Sequence, residues 1–299
     1  MAYGGPDSLA DVEPFLLDIR GGRPTSQDLI DEIKSRYEQI GGRSPLLEIS
    51  RAQAAALEEL LQSGDHPETF QVYLGMRHWH PYISQAVRQI VADGHRRIIA
   101  LCLAPHFSRM SVGAYFRKVE EAIAEVGAEV EVRWVRGYGD HPLFQESLAY
   151  RAKLGLQKFP VDEPEEVRVL FTAHSLPARI LAEGDPYDAQ LRATARGVAD
   201  LLGDEVWEMC YQSAAAGAVD WLGPHLDQRI GELAAEGCRN VLVAPIGFIS
   251  DHVEILFDID IEARALAEQA GIRLERTESL NTAPGLIEAM ADIVQRIAS

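Results

Sequence analysis

The feature that most constrains this chain is its rhythm. Short apolar runs, too brief for helices, alternate with amphipathic stretches from end to end. The run "RRIIALCLAP" at 96–105 is of the first kind and reads as a strand covered on both faces. "TFQVYLG" at 69–75 and "EVEVRWV" at 129–135 read as strands, with "YISQAVRQIVADG" and "SVGAYFRKVEEAIAEVG" as helices around them. Three further amphipathic stretches precede them: "SLADVEPFLLDI", "SQDLIDEIKSRYEQI" and "SRAQAAALEELLQ". Strand, helix, strand in this order is the pattern of a parallel sheet flanked by helices.

The rhythm pauses over 137–166, where "GYGDHPLF" is turn-rich and "FPVDEPEEV" gathers prolines and acids. It then restarts. Strands are expected at 167–172, "VWEMCYQS", "NVLVAPIGF" and "IRLERTE", separated by helices from about Asp188, Leu226 and Ser250. "TAPGLIEAMADIVQRIA" closes the chain as a helix with Pro284 in its first turn. The reading is α/β in two similar halves, 1–150 and 151–282, with a final helix over 283–299. No glycine-rich phosphate loop is present.

Composition excludes several classes. A formal charge of −18 repels nucleic acid, and no basic patch offsets it. No stretch approaches the roughly 18 apolar residues of a membrane span, and the amino end lacks a secretory pattern. Cys102, Cys210 and Cys238 are widely separated and odd in number, which speaks against a disulfide framework and for a reducing cytoplasm.

Chemistry is most visible where strands end. "VRVLFTAHSLPARI" at 167–180 runs straight into His174, the place where open parallel sheets put their sites. On pattern alone a locally hydrogen-bonded core histidine is the commoner outcome. "VAPIGFISDHVEILFDIDIEARALAEQAG" at 243–271 is the second candidate. A helix starting at Ser250 would set Asp251, Glu254, Asp258 and Glu262 along one stripe. That stripe is either a solvated face or a path for a divalent cation, and the apolar residues between the acids favour the path. "GMRHWHP" at 75–81 brings His78 and His80, and "APHFS" at 104–108 brings His106. His78 and His80 share one face if the strand continues, and part if a turn precedes Pro81. Histidines and carboxylates together suit reversible metal contact and proton transfer near neutral pH.

Taken together, "AHSLP", "GDPY", "APHFS", "WLGP" and "GFISDHVEILFDID" resemble the ferrochelatase family, in the family's order and over almost the whole chain. "MAYGGP" and "SRYEQIGGRSPL" resemble the branch that metallates coproporphyrin III. The resemblance implies a chelatase fold of two Rossmann-like domains with a porphyrin cleft between them and a last helix leaning back on the first. It implies insertion of ferrous iron into a porphyrin, giving coprohaem in haem biosynthesis. His174 then corresponds to the cleft histidine that meets the porphyrin centre, and Glu254 to its acidic partner. Asp258 and Glu262 correspond to the outward acidic line, and His78 to a histidine on the metal side. Tyr3 corresponds to a tyrosine facing the macrocycle, Arg20 to a propionate partner, and Ser44 and Tyr115 to further pocket contacts.

No tightly bound cofactor is implied. Fe²⁺ and porphyrin are substrates, and three cysteines are too few for the four-cysteine 2Fe–2S cluster of some relatives. A cytoplasmic monomer is expected, in transient contact with neighbouring haem-pathway enzymes. The amino end is expected to leave the first sheet one strand short, with Tyr3 on a frayed end, and "GGP" to loosen a turn that the family builds with "GTP". Rival readings are a protoporphyrin IX ferrochelatase, another tetrapyrrole chelatase such as a sirohydrochlorin cobaltochelatase, and a non-catalytic porphyrin or haem carrier.

Overall fold

The computed structural model describes residues 1–63, 69–159, 166–203, 206–214 and 219–299. The chain divides into two compact units, one of Met1–Tyr138 with Asn281–Ser299, the other of Gly139–Leu280. A division at residue 150 would cut a helix, Pro142–Leu156, whose buried face packs within the second unit. The break therefore falls earlier, after Tyr138. The acid-rich "PVDEPE" at 160–165 lies outside the described residues.

The first unit opens with helices α1 (Val12–Ile19), α2 (Gln27–Gln39), α3 (Leu46–Ser63) and α4 (Ile83–Ala92). Strands β1 (Arg97–Leu101) and β2 (Glu131–Val135) pair in parallel across α5 (Val112–Val126). Ser26 caps α2 by accepting the Leu29 amide, as a serine at a helix start does. The core joins α4 and α5 through Ile83, Val87, Val112, Tyr115 and Val119. A smaller cluster holds Ala2, Phe15, Met76 and Trp79.

Residues 69–75 are extended but join no ladder, contrary to the strand expected there. β1 also differs from expectation: Ile98, Ile99 and Leu101 are only half-buried. The amino end, by contrast, is not frayed. Ala2 donates to the Gly75 carbonyl and accepts from Arg77, and Tyr3 accepts from the His78 amide. Nor does "GGP" loosen its turn, because Gly5 lets Ser44 pack against the backbone. A Cβ on Gly5 would lie 2.4 Å from Ser44 Oγ.

The second unit runs α6 (Pro142–Leu156), β3 (Val167–His174), α7 (Arg179–Ala182), α8 (Tyr187–Leu202) and β4 (Trp207–Gln212). It continues with α9 (Leu226–Ala235), β5 (Asn240–Pro245), α10 (Val253–Leu256), α11 (Arg264–Gln269) and β6 (Arg273–Arg276). The four strands are parallel, in the order β4-β3-β5-β6. Val169, Leu170, Phe171 and Val241–Val243 have no exposed surface, which is why β3 and β5 read as unbroken apolar runs. The chain then returns to the first unit as α12 (Pro284–Ala298), which packs on α3.

The helix expected from Ser250 is broken. α10 has four residues, and between it and α11 lies a π-helix, Asp258–Ala263, whose Glu262 amide reaches back five residues to the Phe257 carbonyl. Such insertions shift every following side chain around the axis and are frequent at functional sites.

Candidate active site

The strand order of the second unit reverses at β3: the chain goes from β3 outward to β4, then returns to place β5 on the other side. Ligand sites of open parallel sheets form beyond the carboxyl ends at such a point. His174 is the last residue of β3, and the segment following β5 carries Glu254. The two meet there, with His174 Nδ1 at 2.9 Å from Glu254 Oε2.

The approach depends on a glycine. The amides of Ile246 and Gly247 donate to the Thr172 carbonyl, drawing the segment after β5 across β3 two residues before His174. A Cβ on Gly247 would sit 2.4 Å from the Cβ of Ala173, so any side chain there pushes the crossing segment away. The motifs around His174 act as its frame. Ser175, fully buried, donates its hydroxyl to the Leu222 carbonyl, tying "AHSLP" to "WLGP". Asp185 of "GDPY" accepts the Tyr187 amide, and Tyr187 Oη donates to the His174 carbonyl at 2.9 Å.

β4 holds the acids. Gln212 lies opposite His174 in the ladder and donates its side-chain amide to the Glu254 carbonyl at 2.7 Å. The next residue, Ser213, donates its hydroxyl to Asp258. His252 donates Nδ1–H to the Ser250 carbonyl at 2.9 Å, and its Nε2 lies 4.0 Å from Glu254 Oε2.

Electrostatics follow from this geometry. Burial alone would lower the His174 pKa, but the Glu254 charge, its hydrogen bond and the Asp258 charge outweigh burial and raise it. Burial likewise pushes the Glu254 carboxyl up. The His174 charge and hydrogen bond, His252 and the Ser213 hydroxyl overcome it and bring the pKa down to about 2. In its charged form the pair is an imidazolium and a carboxylate sharing a charge-assisted bond. With Nδ1–H committed to Glu254, Nε2 is the atom that exchanges a proton.

The expected acidic stripe does not form as a set. Asp251 precedes α10, accepts from Ser279 at 2.7 Å and lies 3.7 Å from Arg276. Glu262 is exposed. Among the described residues no group of three or more histidines, cysteines or acids is assembled to hold a metal ion. His174, Glu254, Asp258 and Glu262 therefore do not converge as one ready ligand shell.

In the first unit Tyr3 and His78 come together, their rings 4.8 Å apart, and His78 Nδ1 lies 2.8 Å from Asp18 Oδ2. Burial lowers the His78 pKa against the opposing pull of Asp18. Asp18 and His78 line a cavity of about 520 Å³ with Arg77, Tyr82 and Lys118. Arg20, at the end of α1, is exposed, with no ion-pair partner among the described residues. His80 is exposed beside buried His78, so the turn separates the two.

Two expected pocket contacts belong instead to the fabric of the unit. Ser44 is buried and accepts the Leu46 amide, and Tyr115 is buried in the core beneath the Arg77 guanidinium. His106 is a core histidine whose pKa burial pushes to about 3. Sequence reasoning missed Tyr187, Gln212, Ser213 and His252. Two of these stood inside recognised motifs, Tyr187 in "GDPY" and His252 two residues before Glu254. Gln212 ends the strand beside the one that carries His174, and Ser213 follows it.

Two parallel-sheet units flanked by helices, with a histidine–carboxylate pair at the switch point of one, define a chelatase-type α/β protein. The solved sirohydrochlorin chelatase SirB from Bacillus subtilis subspecies spizizenii, in complex with cobalt, has this fold. It superposes with a TM-score of 0.54 over 84% of this chain and 89% of that one, at 14% identity. The ferrochelatase family model matches residues 1–298, and the chain belongs to that family. A ferrochelatase of Deinococcus radiodurans is 45% identical, covering 100% of this chain and 95% of its own. A coproporphyrin III ferrochelatase of Geobacillus thermodenitrificans is 37% identical, covering 98% of this chain and 93% of its own. The activity of the chain is accordingly that of a metal chelatase, a lyase-class enzyme that inserts a metal ion into a tetrapyrrole.

Proposed function

We propose that the metal is ferrous iron and that the preferred tetrapyrrole is coproporphyrin III. The observation that carries the reading is the His174–Glu254 pair, set at the switch point of a chain whose curated relatives bear the name ferrochelatase. Insertion of Fe²⁺ expels the two inner N–H protons of the macrocycle, so the products are the ferrous porphyrin and two protons. Neutral His174 accepts the two protons one after the other at Nε2, passing the first to solvent before taking the second. Glu254, ionised at neutral pH, steadies the imidazolium so formed and offers oxygen to the arriving cation. Asp258, fastened by Ser213, and exposed Glu262 supply a loose approach for a divalent ion. Loose binding suits a metal that must be released into the ring.

The branch rests on "MAYGGP" and "SRYEQIGGRSPL", and on the relative whose name specifies coproporphyrin III. Arg20 gives an unpaired cation for one of four propionates, and Tyr3, its ring tilted against His78, gives an aromatic surface for the macrocycle. Three free cysteines, two of them buried, support work in a reducing cytoplasm. Kinship with sirohydrochlorin chelatases is one of fold alone.

The deciding experiment is anaerobic Fe²⁺ insertion into coproporphyrin III, protoporphyrin IX and sirohydrochlorin, followed spectroscopically. The highest kcat/KM is expected with coproporphyrin III, and a clear preference for either competitor overturns the branch. His174→Ala should lower turnover by orders of magnitude with the fold intact. Near-normal turnover in that folded variant overturns the mechanism, and binding without turnover by the unaltered chain identifies a carrier.

A further inference from the structure

β6 ends level with β5: Arg276 pairs with Val243, and the Thr277 amide donates to the Val243 carbonyl. Arg276 therefore stands at the carboxyl edge of the sheet, beside the strand from which the segment carrying Glu254 departs. Its side chain is largely buried, at 13% exposure. Nε and Nη2 each donate to one oxygen of Asp260 at 2.7 Å, a bidentate ion pair. Nη1 donates to the Thr277 carbonyl at 2.8 Å and lies 3.7 Å from Asp251 Oδ1.

Asp251 and Asp260 bracket Glu254 and Asp258 in the chain, so one guanidinium grips the acidic segment at both ends. The other flank has holds of its own, where Gln212 donates to the Glu254 carbonyl and Ser213 to Asp258. β4 and β6 are the outer strands of the order β4-β3-β5-β6. Asp258 and Asp260, two residues apart, are thus fastened from opposite sides of one sheet. Ile255, Ile259 and Ala263 meanwhile sink into the core and fix the depth of the segment. Apolar burial is non-directional and tolerates small rotations, whereas a bidentate ion pair does not. The element so held is a π-helix, a rare form that neighbouring contacts must keep in register.

We propose that Arg276 is a positioning residue for metal insertion: by gripping Asp260 and Asp251 it holds the π-helix in the register that sets Glu254 against His174 and keeps Asp258 on Ser213. The inference rests on the roles proposed above for Glu254 and Asp258. The action of Arg276 runs through the backbone between its two partners. Pairing with them also withdraws two of the five acids of residues 251–262 from an arriving cation, leaving Glu254, Asp258 and Glu262. A lysine would supply the charge without the planar fork that fixes direction. Arg264 donates to the Leu274 carbonyl at 3.2 Å, so α11 stays tied to β6 when Arg276 is replaced.

The test compares Arg276→Gln, Asp260→Ala and the double variant with the unaltered chain. Hydrogen exchange on the metal-free protein is read at the Ile261 and Glu262 amides, both bonded to the Phe257 carbonyl. In each variant these two should exchange about tenfold faster or more, while the amides of β3 and β5 keep their rates. In anaerobic Fe²⁺ insertion kcat should fall about tenfold or more, with KM for the porphyrin unchanged. The double variant should lose no more than Arg276→Gln alone, since both substitutions cut one link. Should Arg276→Gln fail to fold, Asp260→Ala carries the same readings from the more exposed partner. Unchanged exchange at Ile261 and Glu262, an unchanged kcat, or additive losses in the double variant overturn the proposal. Glu254→Gln, measured alongside, separates the two readings. Normal turnover in that variant removes the role of Glu254 and the proposal with it. A crippled Glu254→Gln beside a normal Arg276→Gln overturns the role of Arg276 alone.

Discussion

Glu254 sets the proton affinity of His174, and this can be checked on the metal-free protein. Burial acts on His174 in one direction and Glu254 in the other, and the acid prevails. In Glu254→Gln the charge is gone and burial remains, so the His174 pKa should fall below the ordinary 6.5. An NMR titration of the imidazole measures it, and a pKa still above 6.5 would show that Glu254 is not the cause. In the unaltered enzyme, insertion should rise with pH as His174 loses its proton, with an acid limb above 6.5 that moves down in Asp258→Asn. Asp258 contributes to that limb because its charge also raises the His174 pKa. Glu262→Gln, altering an exposed side chain, should act only on the KM for Fe²⁺, by a factor of a few.

At the scale of elements, the segment from β5 to α11 decides whether the site exists. Gly247→Val should displace the crossing over Ala173, uncouple Glu254 from His174 and cost turnover orders of magnitude. Steady-state kinetics together with circular dichroism separate this from unfolding, and normal kinetics in a folded variant would remove the crossing as a cause. This segment also shows what the sequence made legible. The strand ending on His174 could be read because a doubly covered strand is a continuous apolar run, and such runs end at sites. Glu254 could be placed in a motif, but its distance from His174 could not, because the two stand 80 positions apart in the chain. Helical periodicity then misled. A stripe at intervals of three and four presumes one regular helix, and the π-helix breaks that spacing. Asp251 consequently serves Ser279 and Arg276, partners that no local pattern announces. That Ser44 and Tyr115 are buried was illegible for a similar reason, since family likeness gives the residue type and not the direction of the side chain.

For the molecule as a whole, stability should carry the signature of the same ion pair. Glu254, held at about 2 against an ordinary 4.5, contributes stability present above 4.5 and lost as pH falls towards 2. His174, raised above 6.5, contributes stability fully present below 6.5 and lost as pH climbs through its raised value. The difference in unfolding free energy between the unaltered chain and Glu254→Gln should therefore be greatest between about pH 4.5 and 6.5 and shrink on both sides. Denaturant melts across pH test the shape, and a flat difference would deny the pair any energetic role. Phe171→Ala, in the buried centre of β3, should cost about 3–5 kcal/mol at any pH. The return of α12 to the first unit has a consequence for the order of events on the ribosome. Domains ordinarily mature in the sequence in which they emerge. Here every residue of the second unit, through Leu280, is synthesised before the helix that completes the first has appeared. The unit begun first is finished last, and during translation it must wait, with the face of α3 that receives α12 uncovered, for a helix made almost three hundred residues after the start.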